Sequence, residues 1–251
     1  MSNRSIHFIT YSNYYFAKAK ERLLKQAEEF GEFKTIIGYG PENLPKTFIN
    51  HFRAIITQRR GAGYWIWRPI MLKNKLASMN DGEFLIYLDA GCILNVEGKK
   101  RFNEYIDLLD KSDYGIMSIQ MTGKKGSLPL LPEKQWTTSQ IFKYFGVSLN
   151  SEHANSGQYL SGVLVMKKNK HLLEIIDHVI RALEYDPLMF TDYYNRNQHP
   201  EFIENRHEQS IFSLIRKLYG SVVIDGDESM IQPFGEGESL KYPFWAARER
   251  N

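Results

Sequence analysis

Apolar residues come in two kinds of run along this chain. Short runs rich in apolar and β-branched residues, such as 6–11 and 84–88, alternate with longer stretches in which apolar residues return every three or four positions. Between 14 and 30, Phe16, Ala19, Leu23, Leu24 and Ala27 fall on one stripe, with Lys and Glu opposite. The spacing predicts strands over 6–11 and 33–39 on either side of a helix over 14–30 that Gly31 closes. That β-α-β opening favours a parallel sheet with right-handed crossovers. Further on, the pattern predicts helices over 67–79 (Pro69 in the first turn), 99–109, 138–145, 169–184 and 208–219. It predicts strands over 84–88, 114–120, 158–167 and 221–225, and a loop over 126–132. Residues 232–251 carry Gly, Pro and aromatics without a period. No internal repeat, low-complexity tract or linker divides the chain, which reads as one α/β domain over 1–251. The expected architecture is Rossmann-like, a mostly parallel central sheet flanked by helices.

A length of 251 residues suffices for a substantial core. Aromatics are abundant, with 15 Tyr, 15 Phe and 4 Trp, as in cores and in sites that stack on bases or sugars. A net charge of +3 is too weak to imply nucleic-acid binding but suits an anionic small substrate. Cys92 is the single cysteine, so no intrachain disulfide can form and a reducing compartment is expected. Residues 1–6 hold no apolar signal region, and no run approaches the roughly 18 apolar residues of a membrane span. A cytoplasmic location follows as the expectation.

Four segments could carry chemistry. The run 84–88 leads into Asp89-Ala90-Gly91-Cys92. A buried parallel strand that ends so delivers a carboxylate to the sheet edge where α/β proteins bind ligands, although Asp89 could equally cap the turn. Residues 59–69 gather Arg59, Arg60 and Arg68 with Tyr64, Trp65 and Trp67 around Gly61 and Gly63. Arginine forks match phosphate oxygens and aromatic faces stack on bases or sugars, while the alternative is a structural loop whose tryptophans plug the core. The segment contains no phosphate-loop signature. Residues 205–211 bunch Arg206, His207, Glu208 and Gln209 at a helix start, where capping is the alternative. Residues 155–162, with Ser161 and Gly162, precede an apolar strand and could line an acceptor pocket or simply pack closely. One strand-end aspartate plus a diphosphate would suit Mg²⁺ or Mn²⁺, whereas a lone cysteine and unpaired histidines do not support zinc.

In this order, these segments resemble glycosyltransferases of the GT-A fold, the small bacterial and large-virus enzymes that build surface polysaccharides and glycans. The resemblance covers most of the chain and rests on the strand-helix opening, 63–69, 88–92, 157–166 and 206–211. It implies a nucleotide-binding part over about 1–120, an acceptor part over about 121–231 and a tail over 232–251. It implies a nucleotide-sugar donor, UDP- or GDP-linked, and a glycan acceptor. Such enzymes use an Asp-x-Asp motif whose carboxylates hold Mn²⁺ or Mg²⁺. Asp89 matches the first position and Gly91 stands at the second, which leaves three possibilities: water fills the gap, another residue such as His207 helps Asp89, or metal dependence is weak; retained metal binding is the expectation. Thr10 and Tyr11 would sit near the base, and Arg60 and Arg68 near the diphosphate or donor sugar. Tyr64, Trp65 and Trp67 would line the substrate site, with Ser161 and Gly162 at the acceptor. Glu208 and Gln209 would lie near the reacting carbon; in an inverting reaction Glu208 is the first candidate for general base and Asp192 the second, while a retaining one needs mainly charge stabilisation of the leaving diphosphate, and the sequence does not choose between them. A sugar nucleotidyltransferase is the alternative enzyme, but 10–13 lack the glycine-rich basic turn it needs. A non-catalytic glycan-binding module would more often be all-β. The tail, through 233–237 and 242–248, would either close over the donor or pack statically.

Overall fold

The computed structural model describes residues 4–126 and 128–250. Readings that touch residues 1–3, Ser127 and Asn251 (the polar N-terminus, one loop position and the last residue of the tail) lie outside the described residues. The strands are β1 (Ile6–Tyr11), β2 (Thr35–Tyr39), β3 (Phe84–Leu88), β4 (Ile93–Leu94), β5 (Ile116–Gln120), β6 (Val163–Lys167), β7 (Val222–Asp225) and β8 (Phe244–Trp245). Six of them form one sheet in the order β2-β1-β3-β6-β5-β7, and β4 pairs with β8 separately. β1 runs parallel to β2 and β3, and β5 parallel to β7, while β6 is antiparallel to both β3 and β5. The sheet is thus mostly parallel with one reversed strand. Reversal brings the start of β6 beside the end of β3, with Leu88 opposite Val163.

Alternation along the strands supplies two cores. Ile6 and Phe8 of β1 and Phe84, Ile86 and Leu88 of β3 pack with the helices Ala17–Phe30 and Lys99–Asp110. Ile9, Tyr11, Leu85 and Tyr87 face the other way, against the helices Trp67–Ala77, Lys170–Tyr185 and Glu208–Tyr219. Both faces are therefore covered, as a sheet of near-continuous apolar strands requires. The helix ends follow local chemistry. Gly31 closes its helix at φ +70, and the Asn169 side chain accepts from the Leu172 amide at 2.9 Å to start Lys170–Tyr185.

The sequence pattern places all of these larger elements to within a few residues. The strand expected over 158–167 is regular only from Val163, with Gln158 and Tyr159 joined to neighbours by isolated bridges. Short helices at Lys46–His51, Arg53–Ile56, Glu133–Trp136 and Glu152–Asn155 were not legible, being too short to show a period. The tail is tied to the body: β8 pairs with β4, and Phe244 packs on Phe102 and Tyr105. Among the described residues no helix is long and apolar enough to cross a membrane.

Candidate active site

β1 and β3 end at one edge of the sheet, and β6 begins there. Asp89 follows β3 on the face shared by Leu85 and Tyr87, so it points toward the helices that begin at Trp67 and Glu208. Three groups meet around it. The Arg68 guanidinium donates to Asp89 Oδ1 at 2.9 Å and, through its other arm, to Glu208 Oε2. The Tyr87 hydroxyl donates to the same Asp89 Oδ1. Arg68 is 3% and Glu208 1% exposed, whereas the Asp89 side chain keeps 37% of its surface. Burial disfavours the charge on Arg68, but Glu208, Tyr87 and Asp89 outweigh it and raise its pKa. Burial pushes the Glu208 carboxyl up while Arg68 pulls it back.

A second group lies on the 61–65 turn. Gly61, Ala62, Gly63, Tyr64 and Trp65 have φ of +58, +50, +93, +54 and +60, a left-handed turn in which three residues carry side chains. Such backbone costs about 1–2 kcal/mol per non-glycine residue and persists only where surroundings enforce it. Here the turn brings Tyr64 and Trp65 over His207, with ring centroids 4.9 and 5.7 Å away. His207 itself is held at φ +57, ψ −127 at the head of its helix. Its Nε2 meets Asp192 Oδ1 at 2.9 Å, and burial lowers its pKa despite that contact. Arg60 reaches both oxygens of Asp192 at 3.4 Å and Glu204 at 3.5 Å. Asp192 keeps 39% of its side-chain surface. Burial and the neighbouring Asp192 raise Tyr64.

The third group joins the first from behind. The Asp89 amide donates to the Gly162 carbonyl at 2.8 Å. Gln209 accepts from the Ser161 amide at 3.0 Å and donates to Gln158 at 2.7 Å. Arg216, wholly buried, donates to the Tyr159 and Leu160 carbonyls and to Ser118 and Ser161 hydroxyls. Burial lowers its pKa to about 10, Glu208 and Glu133 opposing.

Several expected residues therefore converge: Arg68, Asp89 and Glu208 in one group, Arg60, Tyr64, Trp65, Asp192 and His207 in a second, Ser161, Gly162 and Gln209 in a third. Others turn inward, which corrects their expected roles. Tyr11 and Trp67 stack on each other with centroids 3.7 Å apart, and the Trp67 Nε1 donates to the Gly61 carbonyl, so neither offers a free face. Thr10 is buried, its Oγ1 without a hydrogen-bond partner. Glu208 is corrected as first candidate for the base: enclosed and bonded to Arg68, its carboxylate cannot meet an acceptor, while Asp192 is open. Tyr87, Glu204 and Arg216 belong to the site without having been singled out. Tyr87 stands two residues before Asp89 on the same strand face, and Arg216 interrupts the apolar face of its helix; both were readable signals. A cavity of about 670 Å³ lined by Lys100, Arg101, Lys125, Glu228 and Tyr242 contains none of the expected site residues.

The described residues do not fit the expected Mn²⁺ or Mg²⁺. They hold no group of three or more His, Cys, Asp or Glu side chains able to take a metal. Asp89 Oδ1 is occupied by Arg68 and Tyr87, leaving one free carboxylate oxygen beside a guanidinium that already neutralises it. His207 spends Nε2 on Asp192.

No protein-family model matches the chain, and no curated protein matches it. Solved structures do align with it. A glycosyltransferase involved in glycosylation of the major capsid of PBCV-1 is 18% identical, with a TM-score of 0.46 over 96% of this chain and 93% of that one. The galactosyltransferase LgtC, in complex with donor and acceptor sugar analogues, is 12% identical, with a TM-score of 0.45 over 89% and 74%. Mouse xyloside xylosyltransferase 1 is 13% identical, with a TM-score of 0.44 over 90% and 86%.

Proposed function

We propose that the protein is a glycosyltransferase that moves a sugar from a nucleoside-diphosphate donor, uridine- or guanosine-linked, to a hydroxyl of a glycan acceptor. The observation that supports this best is Asp192, an open carboxylate oriented by His207 and Arg60 at the ligand-binding edge of an α/β sheet. In an inverting displacement the acceptor oxygen bonds to the anomeric carbon as the bond from that carbon to the phosphate oxygen breaks. The acceptor proton passes to Asp192, and the diphosphate leaves with the negative charge. Arginines at the rim meet that charge, which grows toward the transition state, so they favour it over the bound ground state. No step is assigned to a metal ion. Buried Arg68 keeps Asp89 and Glu208 in place.

Thermal unfolding with UDP, GDP and their sugars, followed by transfer assays, tests the reading. Binding to the native state raises the melting temperature by mass action, and one base should dominate. Asp192→Asn should keep that shift and lose transfer. No shift with any nucleotide at millimolar concentration would overturn the donor site.

A further inference from the structure

The carboxyl ends of β3, β5 and β7 share one edge of the sheet, because β6 runs against both β3 and β5 while β7 runs with β5. Asp89 leaves that edge toward one face. Beside the helix Lys99–Asp110, which covers the other face, lies the cavity of about 670 Å³. Its lining gathers Glu97 and Lys100 from after β4, Lys125 from after β5 and Glu228 from after β7, with Lys241 and Tyr242 opposite in sequence.

The walls are fixed by their own contacts. Glu228 is 1% exposed, and its carboxylate accepts from Arg101 Nε at 2.8 Å, Arg101 Nη2 at 2.9 Å and Lys125 Nζ at 2.7 Å. Arg101 also holds Glu104 at 2.7 Å. Asn95 donates to the Leu240 and Tyr242 carbonyls at 2.8 and 3.0 Å. A Cβ on Gly98 would stand 2.4 Å from the Pro243 nitrogen, so residues 240–243 are locked against the start of the helix. The cavity is thus formed without a ligand, and its volume lies in the range of small-molecule sites.

These pairs spend the charges of Arg101 and Lys125. Lys100, Lys241 and Glu97 line the same cavity, are exposed, and form no ion pair among the described residues. Two free ammonium groups against one free carboxylate favour a ligand with a single negative group. A bare anion would still meet Glu97 and Glu104. A sugar hydroxyl both donates and accepts, so it can use carboxylates and ammonium groups on the same wall. Leu240 and Tyr242 add apolar surface of the kind a pyranose face can cover.

Resting on the transferase reading above, we propose that this cavity is a second carbohydrate subsite. It holds a sugar carrying one acidic group, a carboxylate or a phosphate, in the acceptor at a distance from the reacting hydroxyl. Lys100 and Lys241 take the acidic group, and Glu97 and Glu104 accept from ring hydroxyls.

Titration calorimetry of the full chain with trehalose, trehalose 6-phosphate, the hyaluronan disaccharide and inorganic phosphate tests this. One of the two acidic disaccharides should bind about tenfold or more tighter than both trehalose and inorganic phosphate, and its identity tells phosphate from carboxylate. Lys100→Ala and Lys241→Ala should each weaken that binding about fivefold or more, with the melting temperature and the nucleotide-induced thermal shift unchanged. Lys241→Glu should abolish it. Binding of neither acidic disaccharide at millimolar concentration, inorganic phosphate bound as tightly as either, or binding indifferent to both lysine variants would overturn the proposal. A nucleotide-induced shift seen beside any of those results leaves the transferase reading standing. Acidic-sugar binding by a chain that no nucleotide stabilises would overturn that reading instead and leave the cavity as a binding site.

Discussion

Asp89, Arg68 and Glu208 form a line of alternating charge running from solvent into the core, and the two ends of the line differ in what they can do. Glu208 has no water to fall back on, and its removal leaves the guanidinium of Arg68 buried with one partner instead of two. Glu208→Ala should therefore lower stability by about 3–5 kcal/mol in urea unfolding. Asp192 is the opposite case. Its partners Arg60 and His207 approach it from one side and its surface stays open. Asp192→Ala should lower stability by about 1–3 kcal/mol, because it leaves the buried His207 Nε2 without its partner, yet reduce transfer by about 10²–10⁴-fold if it takes the acceptor proton. A variant with full activity and a lost fold would reverse these assignments. Arg216 is the least conspicuous member of the site. As a buried cation bonded to carbonyls and hydroxyls, it fastens 159–161, the segment that carries Gly162 to Asp89.

The left-handed turn over 61–65 holds three of the five non-glycine residues at positive φ among the described residues. Two glycines make it accessible and the side chains of Ala62, Tyr64 and Trp65 make it costly. Gly63 is the position with no latitude, since a Cβ there would come within 2.6 Å of Ile56 Cα at φ +93. Gly63→Ala should lower stability by about 2–3 kcal/mol, measured as a lower midpoint in urea, and should loosen the Tyr64–His207 stack. An unchanged midpoint would mean the turn is not strained. The same residues had been readable as either a phosphate-binding cluster or a structural loop. Trp67 is core, as the structural-loop reading has it, and Arg60 reaches toward solvent.

Across the whole molecule, acid sensitivity follows from histidines whose full or partial burial disfavours their charge. His7, His178 and His207 are each lowered from the ordinary 6.5, burial being the first cause in every case. The unfolded chain then binds more protons than the native one just below 6.5, so the stability these groups contribute is complete above that value and is lost as pH falls through their native pKa values. Glu83 acts lower down. The Asn80 amide, then Lys34 and His7, hold it at about 2 against an ordinary 4.5, so its contribution is lost between those values. Glu208 and Asp227, raised by burial, work in the other direction, so that stability is regained as pH falls through their native values, which lie above the ordinary 4.5 and 3.8. Melting temperature against pH should fall in two stages from neutrality, and His7→Gln should flatten the upper one. A flat profile between pH 7 and 5 would refute the assignment.

What the chain's pattern determined by itself was the alternation of elements, because a strand buried on both faces and an amphipathic helix each impose a period that no later packing can hide. Asp89 was legible for the same reason: a carboxylate directly after five apolar residues has to emerge at a strand end. Periodicity is a local property, so it could not say which way β6 runs, nor which polar residue meets which. Tertiary structure decided those. It placed Arg68 between carboxylates 21 and 140 residues further along the chain, sealing Glu208 and leaving Asp192 open. It also laid Arg248 and Glu249 across Gly91, a contact between positions more than 150 residues apart that no spacing rule along the chain can express.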